Sequence, residues 1–464
     1  MGEGAVRMRD YETFLNSKSH LSGEFGFDPT FIPDALFPFQ KDLVSWATVK
    51  GRCATFADTG LGKTFMQLTV AQNVVEHGNG NVLLLTPLAV GAQTLMEATK
   101  LGVVAVRSSD GKVPSSPCIV IANYERLHYF DPNDFVGVVC DESSILKNYD
   151  GAIKDAVTRF MLKVKWRFLY TATAAPNDFI ELGTSAEAIG ELGYMDMLAR
   201  FFKKDTTKVK SRKDENRKGV WRFRGHSERD FWRWVCSWSR AIRKPSDMGY
   251  DDGGFNLPPL ITNQHVITAN EKDPEWLFAL PAIGLAEQRK ERSRTVEERC
   301  TKAADLINAH KNPAIGWCYL NKESNMLTKM IPGSVEVTGN DSDEEKEEAL
   351  MAFAKGEIRV LITKPRIAGR GLNFQHCAHQ TYFPSHSFEE WYQSLRRCWR
   401  FGQKRPVVVD MITSEGESQV LGNLQRKAEA ADEMFANLLA MMNNEMRIQK
   451  REYETTKIQI PAWL

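Results

Sequence analysis

Two blocks of the chain alternate short, almost wholly apolar runs with longer stretches of helical spacing. The first block holds "CATFA", "NVLLLT", "CIVIA", "VGVVC" and "WRFLYT". Runs this short with no polar face suit strands buried on both sides, and the lengths between them suit helical crossovers. The pattern predicts a mostly parallel sheet covered by helices on both faces. The second block repeats the scheme with "AIGWCY", "SVEVT", "IRVLIT" and "PVVVDMI". Between its strands, "SDEEKEEALMAFAKGEI" predicts a helix, with Ser342 and Glu345 spaced as a capping box.

The predicted fold class is α/β: two tandem parallel-sheet domains with a basic, partly helical insert between them. The boundaries read as an N-terminal extension over 1–34, a first domain over 35–200, a basic aromatic insert over 201–260 and a linker over 261–300. A second domain follows over 301–416 and a C-terminal tail over 417–464. The amphipathic run from Ser418 to Met446 predicts a helix packed on the second block.

With 464 residues, the chain is long enough for two cores of ordinary size. A net charge of +1 excludes a uniformly basic coat, so a nucleic-acid surface must be a local patch. Residues 203–224 form one such patch, with ten Lys or Arg against three Asp or Glu. Lys203, Lys204, Lys210, Arg212, Lys213 and Arg217 are its candidate phosphate contacts. The aromatics that follow, Trp221, Phe223, Phe231, Trp232, Trp234 and Trp238, suit either base stacking or a core. Phe231, Trp234 and Trp238 recur at one-face helical spacing, which favours the core. The eight cysteines have no metal-ligand spacing and read as reduced core residues of a cytoplasmic protein. No apolar run approaches the length that crosses a bilayer.

The chemistry concentrates in "TFADTGLGKTFMQL", residues 55–68. A buried strand runs into a loop containing Gly60 and Gly62, and a helix starts after it. Unpaired amides and the positive dipole end of such a helix favour an anion, and successive loop amides wrap a phosphate. Lys63 would reach the outer phosphates and the Thr64 hydroxyl would ligate magnesium. Ala57 stands where the general pattern has its first glycine. In "VGVVCDESS", Asp141 and Glu142 end a strand, where they face a ligand held by a neighbouring loop. An aspartate there holds magnesium and the glutamate activates a water. Thr171 and Thr173 in "FLYTATAAPN" suit either a hydroxyl relay or a plain polar strand end. In "WYQSLRRCWRFGQ", Arg397 and Arg400 share a helical face and can stabilise charge during phosphoryl transfer.

Taken in order, "ADTGLGKT", "CDESS", "TATAAPN", "TKPRIAGRGLNFQ" and "QSLRRCWRFGQ" resemble motifs I, II, III, V and VI of superfamily 2 helicases. The last is similar to the sixth motif of Swi/Snf-type DNA translocases. The whole layout, with "KSHLSGEFGF" and "RKPSDMG", resembles the compact helicases of bacteriophages and prophages. Two features depart from the pattern: Ser144 replaces the histidine of the second motif and Trp399 replaces that of the sixth.

The resemblance implies two RecA-like domains that close on ATP and Mg2+. By position, Thr59, Gly60, Gly62, Lys63 and Thr64 hold the phosphates, with Thr64 and Asp141 on the metal. Gln40 in "LFPFQKDL", with Phe37 nearby, recognises adenine, and Gly371 and Asn373 contact the nucleotide from the second domain. Lys63, Asp141, Glu142, Gln393, Arg397 and Arg400 form the catalytic set. Thr86, Pro87, Gln93, Asn123 and Tyr124, with Thr363 and Lys364 opposite, are candidate contacts to a nucleic-acid backbone. The implied activity is that of an ATP-dependent DNA translocase or helicase. The alternatives are an RNA helicase of the same superfamily and an ATP-gated clamp without motor activity. A monomer in a bacterial cytoplasm, working with phage or host replication or recombination proteins, is the expected setting.

Overall fold

The computed structural model describes residues 23–175, 178–205, 220–268, 291–369 and 372–455. In the first domain, α1 (Pro38–Lys50) leads into β1 (Arg52–Ala57), α2 (Lys63–Gly78), β2 (Asn81–Thr86), α3 (Gly91–Leu101) and β3 (Ala105–Arg107). Next come β4 (Ile119–Asn123), β5 (Phe135–Asp141), α4 (Ala152–Lys163), β6 (Trp166–Thr171), α5 (Leu182–Ile189) and α6 (Tyr194–Phe201). A small antiparallel ribbon, β7 (Phe202–Asp205) with β8 (Val220–Phe223), precedes α7 (Ser227–Trp238) and β9 (Ser239–Ile242).

Seven strands form one parallel sheet in the order β3-β4-β2-β5-β6-β1-β9. Cys53, Ala54, Phe56, Val138, Val139 and Leu169 are at most 1% exposed, as double-sided coverage demands.

The second domain begins at β10 (Leu260–Ile267) and continues with α8 (Val296–Asn308), β11 (Ala314–Trp317), α9 (Asn321–Met330), β12 (Ser334–Glu336) and α10 (Asp343–Lys355). It ends with β13 (Val360–Thr363), α11 (Pro365–Ala368), β14 (His379–Tyr382), α12 (Phe388–Cys398), β15 (Val407–Ser414) and α13 (Ser418–Thr455). Its sheet is again parallel, in the order β10-β15-β14-β11-β13-β12. The Ser342 hydroxyl accepts from the Glu345 amide at 3.2 Å and the Glu345 carboxylate accepts from the Ser342 amide at 2.7 Å, so α10 carries the expected capping box. The fold class is thus α/β, with two tandem parallel-sheet domains.

Three segments differ from expectation. Part of the insert belongs to the first domain: β9 pairs in parallel with β1, and Phe231, Trp232, Trp234 and Trp238 of α7 are buried in that domain's core. Part of the linker belongs to the second: β10 pairs with β15 along eight registered positions. The C-terminal helix packs on both domains, because Leu424 joins the second core while Met434, Phe435, Leu438 and Met442 join the first. A helix of 38 residues outreaches one domain.

All eight cysteines are free and buried. No helix among the described residues is long and apolar enough to cross a membrane.

Candidate active site

The phosphate-type loop hangs between β1 and α2. Gly60 and Gly62 have φ of +91° and +73°, which L side chains rarely adopt. Space is limiting as well: a Cβ on Gly62 would stand 2.3 Å from Gln40 Nε2, and one on Gly60 2.9 Å from the Phe401 amide nitrogen of the other domain. Ala57, in place of a glycine, is the last strand residue of β1 and fully buried, so its methyl packs into the core. Lys63 Nζ donates to the carbonyls of Ala57 at 3.0 Å and Asp58 at 3.3 Å. Burial lowers the Lys63 pKa, opposed by the charges of Glu142, Asp141 and Asp58. Gln40 ties α1 to this loop: its Oε1 accepts from the Phe37 amide at 2.9 Å and its Nε2 donates to the Leu61 carbonyl at 2.8 Å.

From the adjacent strand end, Asp141 and Glu142 face the same space. Asp141 accepts from Gln67 Nε2 at 2.6 Å and has no cation in hydrogen-bond contact among the described residues. Burial first, and the Glu142 charge second, push its carboxyl up to about 6, against the pull of Gln67 and Lys63. Glu142 has φ 49° and ψ 51°, a left-handed backbone that costs a non-glycine residue about 1–2 kcal/mol. Its Oε2 accepts from Thr171 Oγ1 at 3.4 Å, and Thr171 Oγ1 accepts in turn from the Thr173 amide at 3.1 Å. Thr171 therefore links the Glu142 carboxylate to the Thr173 backbone through its hydroxyl.

The second domain closes this space with the end of α12 and the segment after it; the helix stops at Cys398, so Arg400 lies two residues beyond it and not on the helical face with Arg397 that the spacing predicted. Arg397 and Arg400 line a cavity of about 260 Å³ together with Lys63, Thr64, Asp141 and Glu142. Arg397 is held by Gln393, whose carbonyl accepts from Nε at 3.0 Å and whose Oε1 accepts from Nη2 at 3.1 Å. Its pKa is lowered by burial, with Glu142 and Asp141 acting in the opposite sense. Arg400 is lowered to about 9 by burial and by the neighbouring Arg397 and Arg396, and its Nε is buried without a hydrogen-bond partner. Buried guanidinium groups this close repel each other, so the arrangement favours an anion between them and Lys63. On the far side, Phe255 stacks on Phe401 with centroids 4.5 Å apart, and Phe37 meets Phe255 edge-on at 5.0 Å. These rings give the cavity a flat apolar end, lined also by Gln40 and Asn373.

Several expected residues take other places. Gln393 does not line the cavity; it orients Arg397, and its Nε2 reaches Thr173 Oγ1 of the first domain at 3.4 Å. Thr59 does line it, but its hydroxyl accepts from Arg396. Gly371 lies outside the described residues.

Of the expected backbone contacts, Pro87 and Tyr124 line a second interdomain cleft of about 230 Å³ with Asp343, Lys346, Glu347 and Arg366. The Tyr124 hydroxyl, however, is buried and donates to the Asp141 carbonyl at 2.6 Å, so it supports the carboxylate strand. Gln93 faces the first cavity and pairs with Glu97 at 2.7 Å. Thr86 is fully buried, and Thr363 is buried with its hydroxyl on the Val337 carbonyl at 3.0 Å. Lys364 bonds Asn321, and Asn123 ends β4 half-buried. Lys203 and Lys204 are exposed on the ribbon, opposite Arg222 and Trp221. Lys210, Arg212, Lys213 and Arg217 lie outside the described residues.

Asp58, Arg396 and Glu389 also join the two domains, though none of them was among the expected site residues. Arg396 forms a buried ion pair with Asp58 at 2.6 Å across the domains and donates to the Thr59 carbonyl at 3.1 Å. Glu389 opens the α12 face that continues through Gln393 and Arg397. That spacing was readable, but the partners are 338 and 245 positions away.

Fold and site together define a two-domain α/β protein with an anion cradle divided between its domains. No protein-family model matches the chain, and no curated protein matches it. Among solved structures, the chain is similar to the SWI2/SNF2 ATPase core of Sulfolobus solfataricus in complex with dsDNA. The identity is 16% over 84% of this chain and 90% of that one, with a TM-score of 0.41. At that similarity the likeness adds nothing to the chemistry read from this chain's own side chains.

Proposed function

We propose that the chain is an ATP hydrolase that couples closure of its two domains to movement along DNA, as a translocase or helicase. One observation carries the reading: Arg397 and Arg400 of one domain line the same cavity as Lys63, Thr64, Asp141 and Glu142 of the other. The donor set fits a nucleoside triphosphate, with cationic groups at the phosphate end and Gln40, Phe255 and Phe401 at the base end. Thr64 and Asp141 would hold Mg2+; a buried carboxylate with a raised pKa and only a neutral amide as partner suits a cation. Bound there, the metal would supply charge neutralisation at the phosphates.

The chain's own groups have separate tasks. Lys63 leaves the loop carbonyls for the outer phosphate. Glu142, oriented by Thr171, takes the proton of the attacking water. Arg397 and Arg400 meet the charge that develops on the transferred group, a role worth roughly 10³ to 10⁵ in rate. Opening the cleft withdraws both arginines at once, because Arg397 lies in the last turn of α12 and Arg400 follows two residues after its end.

For DNA, the cleft beside Pro87 and the ribbon carrying Lys203 and Lys204 offer contacts to evenly spaced phosphates, which need no base reading. ATP turnover measured without nucleic acid and with single-stranded DNA, duplex DNA or RNA tests the reading. A strand-displacement assay beside a triplex-displacement assay then separates unwinding from tracking on intact duplex. Stimulation by RNA alone supports an RNA helicase, and nucleic-acid binding without turnover supports a clamp. Replication and recombination proteins of a phage or its host are the partners to test by co-purification.

A further inference from the structure

α12 reaches the first domain a second time, outside the cavity. Glu389, 3% exposed, accepts from Ser144 Oγ at 2.9 Å and is ion-paired with Lys147. Both partners lie on the short turn Ser143–Lys147 that starts directly after Glu142. That turn is anchored on Glu142 itself, whose carbonyl accepts from the Ile145 amide at 3.2 Å. Glu142 is one of two non-glycine residues with positive φ among the described residues, and such a conformation persists only where its surroundings hold it.

We infer that Glu389 is a positioning residue for Glu142: from the second domain, it holds the turn that keeps the water-activating carboxylate aimed. This rests on the proposed ATP hydrolysis and extends it. Glu389, Gln393 and Arg397 recur every four residues along one face of α12, and Arg400 follows two residues after its end, so a single movement of the second domain delivers the arginines and locks the base. The serine that replaces histidine at 144 gains its role here, as the hydroxyl that meets the arriving carboxylate. A buried carboxylate is tolerated in this place because a cation and a hydroxyl satisfy it. With the domains apart, nothing from α12 holds the turn, and hydrolysis outside the closed state is suppressed.

The test is steady-state ATP hydrolysis by the full chain with duplex DNA, for Glu389→Gln, Ser144→Ala and the control Glu390→Gln. Glu390 bonds Arg366 and Tyr319 within its own domain. Glu389→Gln should lower kcat on the order of 10- to 100-fold with KM for ATP within about twofold, because misaiming affects the chemical step and not binding. Ser144→Ala should fall in the same direction by a smaller factor, and Glu390→Gln should stay within about twofold of the wild type. The double exchange Lys147→Glu with Glu389→Lys should recover part of the lost kcat. A Glu389→Gln variant with wild-type kcat, or one whose loss matches only its unfolded fraction by circular dichroism, overturns this inference alone. A wild type that turns over no ATP under any condition overturns the proposed function and this inference with it.

Discussion

Arg396→Ala tests whether closure is held by a specific interdomain ion pair. Arg396 is 4% exposed and Asp58 14% exposed at the side chain, and their contact is 2.6 Å. Burial opposes the Arg396 charge, yet Asp58 and Tyr392 more than offset it, so its pKa lies above the usual value. Removing the guanidinium leaves Asp58 without its cation, with the Tyr392 hydroxyl as its remaining partner from the second domain. Breaking a buried pair in this way costs about 3–5 kcal/mol. The penalty falls on the closed form, because opening hydrates Asp58. At the lower end, about 3 kcal/mol corresponds to roughly a hundredfold fall in the closed-to-open ratio. Dyes on Lys100→Cys and Lys329→Cys, one exposed site per domain, report closure by energy transfer, since all eight native cysteines are buried. With a non-hydrolysable ATP analogue, the variant should populate the open distance, lose kcat in parallel and keep its melting temperature within a few degrees. Arg396→Lys should fall between, retaining the charge without the two-pronged geometry. Unchanged closure and turnover would refute the reasoning.

Other expectations are independent of that pair. kcat/KM for Mg-ATP should fall as pH drops below about 6, because the metal-binding form of Asp141 is the ionised one. Gln67→Leu removes the hydrogen bond that lowers the Asp141 pKa, so it should move this acid limb to higher pH; an unmoved limb contradicts the assignment. Stability has the opposite sign: a raised carboxyl pKa favours the protonated fold, so the ligand-free protein loses that contribution as pH rises from about 4 through about 6. Lys203→Glu with Lys204→Glu should weaken duplex binding and reduce the slope of log K against log salt by roughly 2, read by fluorescence anisotropy. Trp234→Ala should lower stability by about 3–5 kcal/mol in urea melts and leave DNA affinity of the folded protein unchanged, since its ring is 3% exposed.

What local pattern encodes was legible, and what distance encodes was not. The buried strands through β6, the glycine loop, the Asp141–Glu142 pair and the two arginines each depend on a few neighbouring residues. Strand β14 reads "HQTY" and has no apolar signal; it is buried because its polar groups find partners, as Gln380 does by accepting from Trp317 Nε1 at 2.7 Å. β9 and β10 are edge strands whose placement depends on remote neighbours. Tyr124 and Thr363 sat in the right motifs, yet their hydroxyls were already occupied inside the protein. The pairing of Arg396 with Asp58 and of Glu389 with Ser144 exists only once two domains meet, and no window of sequence contains both partners.

The central claim is that the hydrolytic site is completed by guanidinium groups from the second domain. Its most direct test is ATP turnover by Arg400→Ala beside the wild type, with duplex DNA present and nucleotide binding measured on the same samples. The expected result is turnover by the wild type, and a loss of roughly 10³-fold or more in the variant with ATP still bound. Wild-type turnover by the variant would contradict the account.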